Sequence, residues 1–152
     1  MRIIAGTARS LPLKTIEGMD TRPTTDRIKE TLFNMLQNDV PGSYFLDLFA
    51  GSGQIGLEAV SRGARYAVFV ENNKKACACI EDNIHFTKFD RETKLLQSDV
   101  ISAIRSMEGK IFHSPSCRNL LFSSLLQSPS ASLKSASAKS LPFVLLFSQR
   151  SH

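Results

Sequence analysis

The residues best suited to chemistry are one glycine cluster and three carboxylates. Gly51-Ser52-Gly53-Gln54-Ile55-Gly56 matches the pattern G-x-G-x-x-G. In that pattern the glycines let the backbone approach a ligand, and the helix that follows can receive an anionic group at its N-terminus. Glu71 lies 15 residues past the last glycine, where an acid can accept both hydroxyls of a ribose, its two oxygens matching the spacing of a cis-diol. The plainer reading of Glu71 is a solvated strand end. Asp99 can accept from an adenine 6-amino group or cap a helix beginning at Val100, and one residue can do both. Asp47 precedes the first glycine by four residues. A carboxylate there opposes a pyrophosphate, which argues against a dinucleotide oxidoreductase of the NAD type. It suits a cation, and the amino and sulfonium groups of S-adenosylmethionine are both positive.

These residues need elements to bring them together. Tyr44-Phe45-Leu46-Asp47-Leu48-Phe49 is a short apolar run that reads as a strand buried on both faces. A helix follows from about Gln54 to Arg62, with Ile55, Ala59 and Val60 inward and Gly63 as its stop. Tyr66–Val70 reads as a second strand ending at Glu71; Cys77, Ile80 and Ile84 stripe a second helix. Lys94–Gln97 is a third strand, and Val100, Ala103, Ile104 and Met107 stripe a third helix. Three alternations of strand and helix imply a parallel sheet with right-handed crossovers. Ligands bind such sheets beyond the carboxyl ends of the strands, where Gly51, Glu71 and Asp99 all fall. Upstream, residues 2–5 and 11–16 read as a hairpin or extended arm. A helix capped at Thr24 or Thr25 runs to about Asn38, with Ile28, Leu32, Met35 and Leu36 as its apolar stripe.

With 152 residues, 42% of them hydrophobic, the chain has enough material for one core. No apolar run approaches the ~20 residues of a membrane-spanning helix and the start lacks a signal-peptide stretch, so a cytoplasmic protein without a membrane partner is expected. Cys77, Cys79 and Cys117 lack metal-ligand or redox spacing, and no metal is expected. The net charge of +5 is unevenly placed: residues 111–152 carry four basic residues and no acid, while residues 1–110 net only +1. The last 42 residues also hold 12 serines and none of the 8 glycines. A basic first segment is a better pointer to nucleic acid, since residues 1–29 carry six Lys/Arg against three acids, with Arg22, Arg27 and Lys29 around the helix start.

Arg22-Pro23-Thr24-Thr25-Asp26-Arg27-Ile28-Lys29-Glu30-Thr31-Leu32-Phe33-Asn34, then Leu46-Asp47-Leu48-Phe49-Ala50-Gly51-Ser52-Gly53 and Gly56-Leu57-Glu58-Ala59, closely resemble the bacterial 16S rRNA (guanine-N2)-methyltransferase family. Arg2–Gly6 looks like the start of the same family. The resemblance covers residues 1 to about 110. It implies an α/β, Rossmann-like fold and S-adenosylmethionine-dependent methylation of a guanine 2-amino group, with 16S rRNA or a small-subunit assembly particle as partner. By the same resemblance Asp47, Phe49, Gly51, Gly53, Glu71 and Asp99 form the cofactor site. Arg22, Pro23, Thr24 and Arg27 border the cofactor and the target base, and the basic arm holds RNA phosphate.

The family resemblance also implies an Asp/Asn-Pro-Pro-Tyr/Phe motif after a fourth strand, to hold the amine's hydrogens and stack the base. Lys110-Ile111-Phe112-His113-Ser114-Pro115-Ser116-Cys117 lacks it, so no catalytic residue can be named. The expected organisation is an arm and helix over 1–42, cofactor-binding βα units over 43–110, and a Ser-rich tail over 111–152 outside the family pattern. On that reading the fold is incomplete, Leu46 and Leu48 flank an open sheet edge, and solubility is poor. The competing reading is a divergent tail whose apolar runs, Leu120–Leu126 and Leu141–Phe147, patch the sheet. Functionally, the alternatives are a non-catalytic remnant that keeps S-adenosylmethionine or RNA binding and, behind it, the oxidoreductase.

Overall fold

The computed structural model describes residues 1–16, 26–107, 120–126 and 143–148. Three strands alternate with helices as the hydrophobic periods dictate: β1 (Tyr44–Asp47), α2 (Gln54–Ser61), β2 (Tyr66–Glu71), α3 (Lys74–Thr87), β3 (Thr93–Gln97) and α4 (Val100–Met107), after a first helix α1 (Asp26–Met35). Alternation along the strands sorts side chains to the two faces. Phe45, Ala67 and Phe69 pack with Leu32 and Phe33 of α1, Ile55 and Leu57 of α2 and Ile80 of α3. Leu46, Val68 and Val70 point the other way, onto Ala103 and Met107 of α4. Among the described residues the period-2 pattern thus places α1, α2 and α3 on one face and α4 on the other.

The sheet is parallel throughout, in the order β3-β2-β1-β4-β5, where β4 is Leu120–Leu126 and β5 is Phe143–Ser148. The expected open edge beside β1 is therefore corrected. Tyr44, Phe45, Leu46 and Asp47 pair with Leu120, Leu121, Phe122 and Ser123 on the side away from β2. The first apolar run of the tail forms the fourth strand, and Phe143–Ser148, overlapping the second, adds a fifth. Strand order reverses direction at β1, which makes the β1/β4 boundary the topological switch point, where sheets of this kind bind their ligands.

The N-terminal arm is a hairpin with an antiparallel bridge from Arg2 to Pro12. The Ile3 amide donates to Leu11 O, the Ser10 amide to Ile3 O and the Leu13 amide to Met1 O. Its turn fits tightly over the end of α2: a Cβ on Gly6, at φ +87°, would lie 1.8 Å from the Ser61 carbonyl oxygen. One stripe residue of α1 is misplaced by the sequence reading. Met35 is 61% exposed, whereas Lys29, Leu32, Phe33 and Leu36 are buried. Those four positions follow the i, i+3, i+4, i+7 face, and Met35 lies off it.

Candidate functional site

The carboxyl edge of the sheet brings together Asp47, the glycine turn and Glu71. The turn is pinned peptide by peptide: the Ala50 amide donates to Val70 O at 3.1 Å, and the Gly53 amide donates to Ala50 O at 2.7 Å. Between them the Gly51 amide donates to Glu71 Oε2 at 2.9 Å. Gly51 and Gly53 have φ of +56° and +77°, the left-handed region that a side chain disfavours. Gly56 serves packing instead, since a Cβ there would come within 2.2 Å of the buried Phe69 ring. No side chain caps α2 at Gly53, its N-cap residue.

Asp47 is 1% exposed. Burial pushes its carboxyl up to about 7, with the nearby Glu71 adding to the rise, while hydrogen bonds from the Phe49 and Gly56 amides pull it down. Its Oδ1 has no hydrogen-bond partner among the described residues. Asp47 therefore sits buried at the strand-to-helix turn with one oxygen unsatisfied, a costly state unless something else completes it. Phe49, two residues on, is 39% exposed beside the turn.

Glu71 is more than a solvated strand end. Besides Gly51, it accepts from the Asn72 amide at 3.0 Å and the Asn73 amide at 2.9 Å through Oε1. Asp99 is the cap of α4: its Oδ1 accepts from the Ser102 amide at 2.9 Å. Hydrogen bonds from Ser102 hold this exposed carboxyl below the usual range. Parallel register puts the ends of β2 and β3 side by side, Glu71 facing Gln97, so Asp99 lies at the same edge.

Of the substrate-bordering residues, Arg22, Pro23 and Thr24 lie outside the described residues, and Arg27 is exposed in the first turn of α1. The basic first segment is less available than its composition suggests. Arg2 pairs with Asp26 at 3.3 Å and Lys14 with Asp82 at 2.7 Å. Lys29 is fully buried, and burial lowers its pKa. It donates to the Arg2 carbonyl oxygen and lies 3.6 Å from Asp26 and 4.0 Å from Glu58. Arg2 and Lys14 stay largely exposed in their pairs, and Arg9 and Arg27 are exposed as well.

Two buried polar residues that organise the site were missed as such. Glu58 accepts from the Ile4 and Ala5 amides at 2.8 and 3.0 Å and from Arg62 Nε at 2.7 Å, joining the arm to α2. Asn83 joins the arm to the glycine turn. The available signal was a polar residue on an otherwise apolar face: Glu58 among Ile55, Leu57, Ala59 and Val60, and Asn83 with Ala76, Cys79 and Ile80. Among the described residues no group of His, Cys, Asp and Glu could hold a metal, and no helix is long and apolar enough to cross a membrane.

A parallel sheet reversing direction at a glycine turn, with an acid at the end of the second strand, defines a Rossmann-like nucleotide-binding fold, the fold of methyltransferases among solved structures. One match, described as "Putative methyltransferase yhhF from Escherichia coli", is 38% identical with a TM-score of 0.62, covering 68% of this chain and 56% of that one. Residues 1–115 match the family model described as "Conserved hypothetical protein 95", and the chain belongs to that family. "Ribosomal RNA small subunit methyltransferase D" of Haemophilus influenzae is 43% identical over 104 residues, 67% of this chain and 51% of that protein. The protein of the same name from Escherichia coli K12 is 46% identical over 74 residues, 49% and 37% of the two chains. The chain thus spans about half the length of the curated relatives it matches. The family match ends close to where the composition changes.

Proposed function

We propose that this chain carries the S-adenosylmethionine site of an enzyme that methylates the 2-amino group of a guanine in 16S rRNA, with the small-subunit assembly particle or its RNA as partner. The observation that carries the reading is the buried, unsatisfied Asp47 Oδ1 beside the glycine turn. An orphaned carboxylate oxygen fits a cationic ligand and opposes a pyrophosphate, which keeps the dinucleotide reading behind. Relatives named rRNA methyltransferases support the substrate class.

In this reading Asp47 provides negative charge for the cofactor's cationic end. Gly51 and Gly53 let the ligand approach the backbone. Glu71, which already accepts three backbone amides, keeps one lone-pair site, on Oε2, for a ribose hydroxyl. Asp99 receives the adenine amine while capping α4, and Phe49 lends an apolar face. Bound there, S-adenosylmethionine supplies an electrophilic methyl group on a sulfonium. Arg22, Pro23, Thr24 and Arg27 border the base, and exposed arginines of the first segment meet phosphate. A guanine amine, its lone pair delocalised into the ring, also needs acceptors for its hydrogens. Gln127-Ser128-Pro129-Ser130 follows β4, without the Asp/Asn-Pro-Pro-Tyr/Phe motif that the family resemblance implies. That favours a second reading, in which residues 111–152 lie outside the family pattern and the chain binds cofactor or RNA without turnover.

Calorimetric titration with S-adenosylhomocysteine tests the site. Binding is expected for the wild type and strongly weakened in Glu71→Ala; absence of binding by folded protein overturns the cofactor reading, and unchanged binding by the variant overturns the role of Glu71. Methyl transfer to unmodified small-subunit particles separates the enzyme from the remnant, which retains RNA without turnover. Fluorescence titration with NADH decides the oxidoreductase.

A further inference from the structure

We propose that Asn83 is a positioning residue for the cofactor turn, bracing the Ser52–Gly53 peptide against the N-terminal arm. Asn83 lies on α3 and is 1% exposed. Its Nδ2 donates to Ser52 O at 3.0 Å and to Lys14 O at 3.1 Å, while Oδ1 accepts from the Lys14 amide at 2.8 Å. A primary amide has two N–H donors, and both carbonyl contacts use them. No acid can make the same set when ionised, and no apolar residue can make any of it.

The bond to Ser52 acts on one particular peptide. Ser52 O and the Gly53 N–H belong to the same planar unit, so fixing one orients the other. The Gly53 amide donates to Ala50 O at 2.7 Å on the far side. That peptide is therefore held from both sides, by Asn83 and by the turn itself. Gly53, at φ +77°, can rotate more freely than other residues if one hold is lost. α3 is a firm support for the brace: Asn73 caps its start by accepting from the Lys75 and Ala76 amides, and Lys88 ends it in the left-handed region. The other end of the brace is the arm's second strand at Lys14. The arm thereby stiffens the turn at a distance, and Asn83 never touches the ligand.

This inference rests on the cofactor reading, and its test keeps the two apart. S-adenosylhomocysteine affinity and urea stability are measured for wild type, Asn83→Ala, Asn83→Asp and Ser61→Ala. Ser61 is the matched control, because its Oγ also ties the arm to a helix, accepting from the Ala8 amide at 3.0 Å and donating to Ala5 O at 2.6 Å, without contact to the turn. Asn83→Ala is expected to weaken binding about tenfold, the effect of one lost buried hydrogen bond of ordinary strength, while Ser61→Ala loses stability and binds as the wild type does. Asn83→Asp keeps the Lys14 amide contact and removes the donors, so it gives the same result should Asn83→Ala fail to fold. Unchanged affinity in the folded Asn83 variants overturns the inference. Equal weakening by Ser61→Ala also overturns it, by reducing the effect to general stability. A folded wild type that does not bind removes the cofactor reading itself.

Discussion

At the scale of single residues, Asp47 makes the sharpest prediction. Its carboxyl titrates near 7 when folded against an ordinary value of 3.8, so the native state holds the proton more tightly than the unfolded chain. Such a group favours folding fully below the unfolded value and loses that contribution as pH rises through the folded one. Unliganded protein is therefore expected to lose stability between about pH 4 and pH 7, by roughly 4 kcal/mol at most from this residue. Asp47→Asn should flatten that part of the curve in urea denaturation at pH 5 and pH 8. A cationic ligand favours the ionised form, so its affinity should rise over the same window. An equally steep curve in the variant would assign the slope to other groups. Asp47 was visible in sequence as an acid within an apolar strand. The pull of the Phe49 and Gly56 amides on its carboxyl was not, because that depends on how sharply the chain turns after the strand.

Among elements, the contact of α2 with the arm and with β2 carries two predictions. Glu58 accepts from two arm amides and from Arg62, and lies 4.0 Å from the buried ammonium of Lys29. Glu58→Ala leaves Lys29 buried with less compensation, for which a loss of about 3–5 kcal/mol is expected in urea denaturation. A loss below 1 kcal/mol would mean that the arm is held by its apolar residues alone. Gly56→Ala drives a methyl into the Phe69 ring, so a loss of about 1–3 kcal/mol is expected, measured the same way. Continuous apolar runs revealed β1 and β2, which are buried on both faces, and helical periodicity revealed α3 and α4, which turn one apolar face to the sheet. It misplaced Met35 because α1 packs through Phe33 and admits Lys29 at the same face. An ammonium within an apolar stripe becomes intelligible only once the Arg2 carbonyl and Glu58 are seen around it.

For the molecule as a whole, the question is what the strands beyond α4 do for the sheet. Composition marks the change near residue 110, but composition alone cannot reveal pairing, because Leu120–Leu126 has apolar residues suited either to a buried strand or to no family element. In the structure each residue of β1 has partners on both sides, β2 and β4. A chain shortened to residues 1–107 would leave the central strand, Tyr44 to Asp47, as an edge with unpaired backbone groups, each lost ladder bond costing about 0.5–1.5 kcal/mol. It would also shed the residues that supply most of the charge: residues 1–110 net +1 of the full +5. A flat apolar edge and low net charge both favour self-association. Light scattering coupled to size exclusion is therefore expected to find the shortened chain associated at concentrations where the full chain is not, and urea denaturation is expected to find it less stable. A shortened chain that stayed monomeric and equally stable would show that β4 merely rests against β1, and that β1, β2 and β3 hold the carboxyl edge of the sheet by themselves.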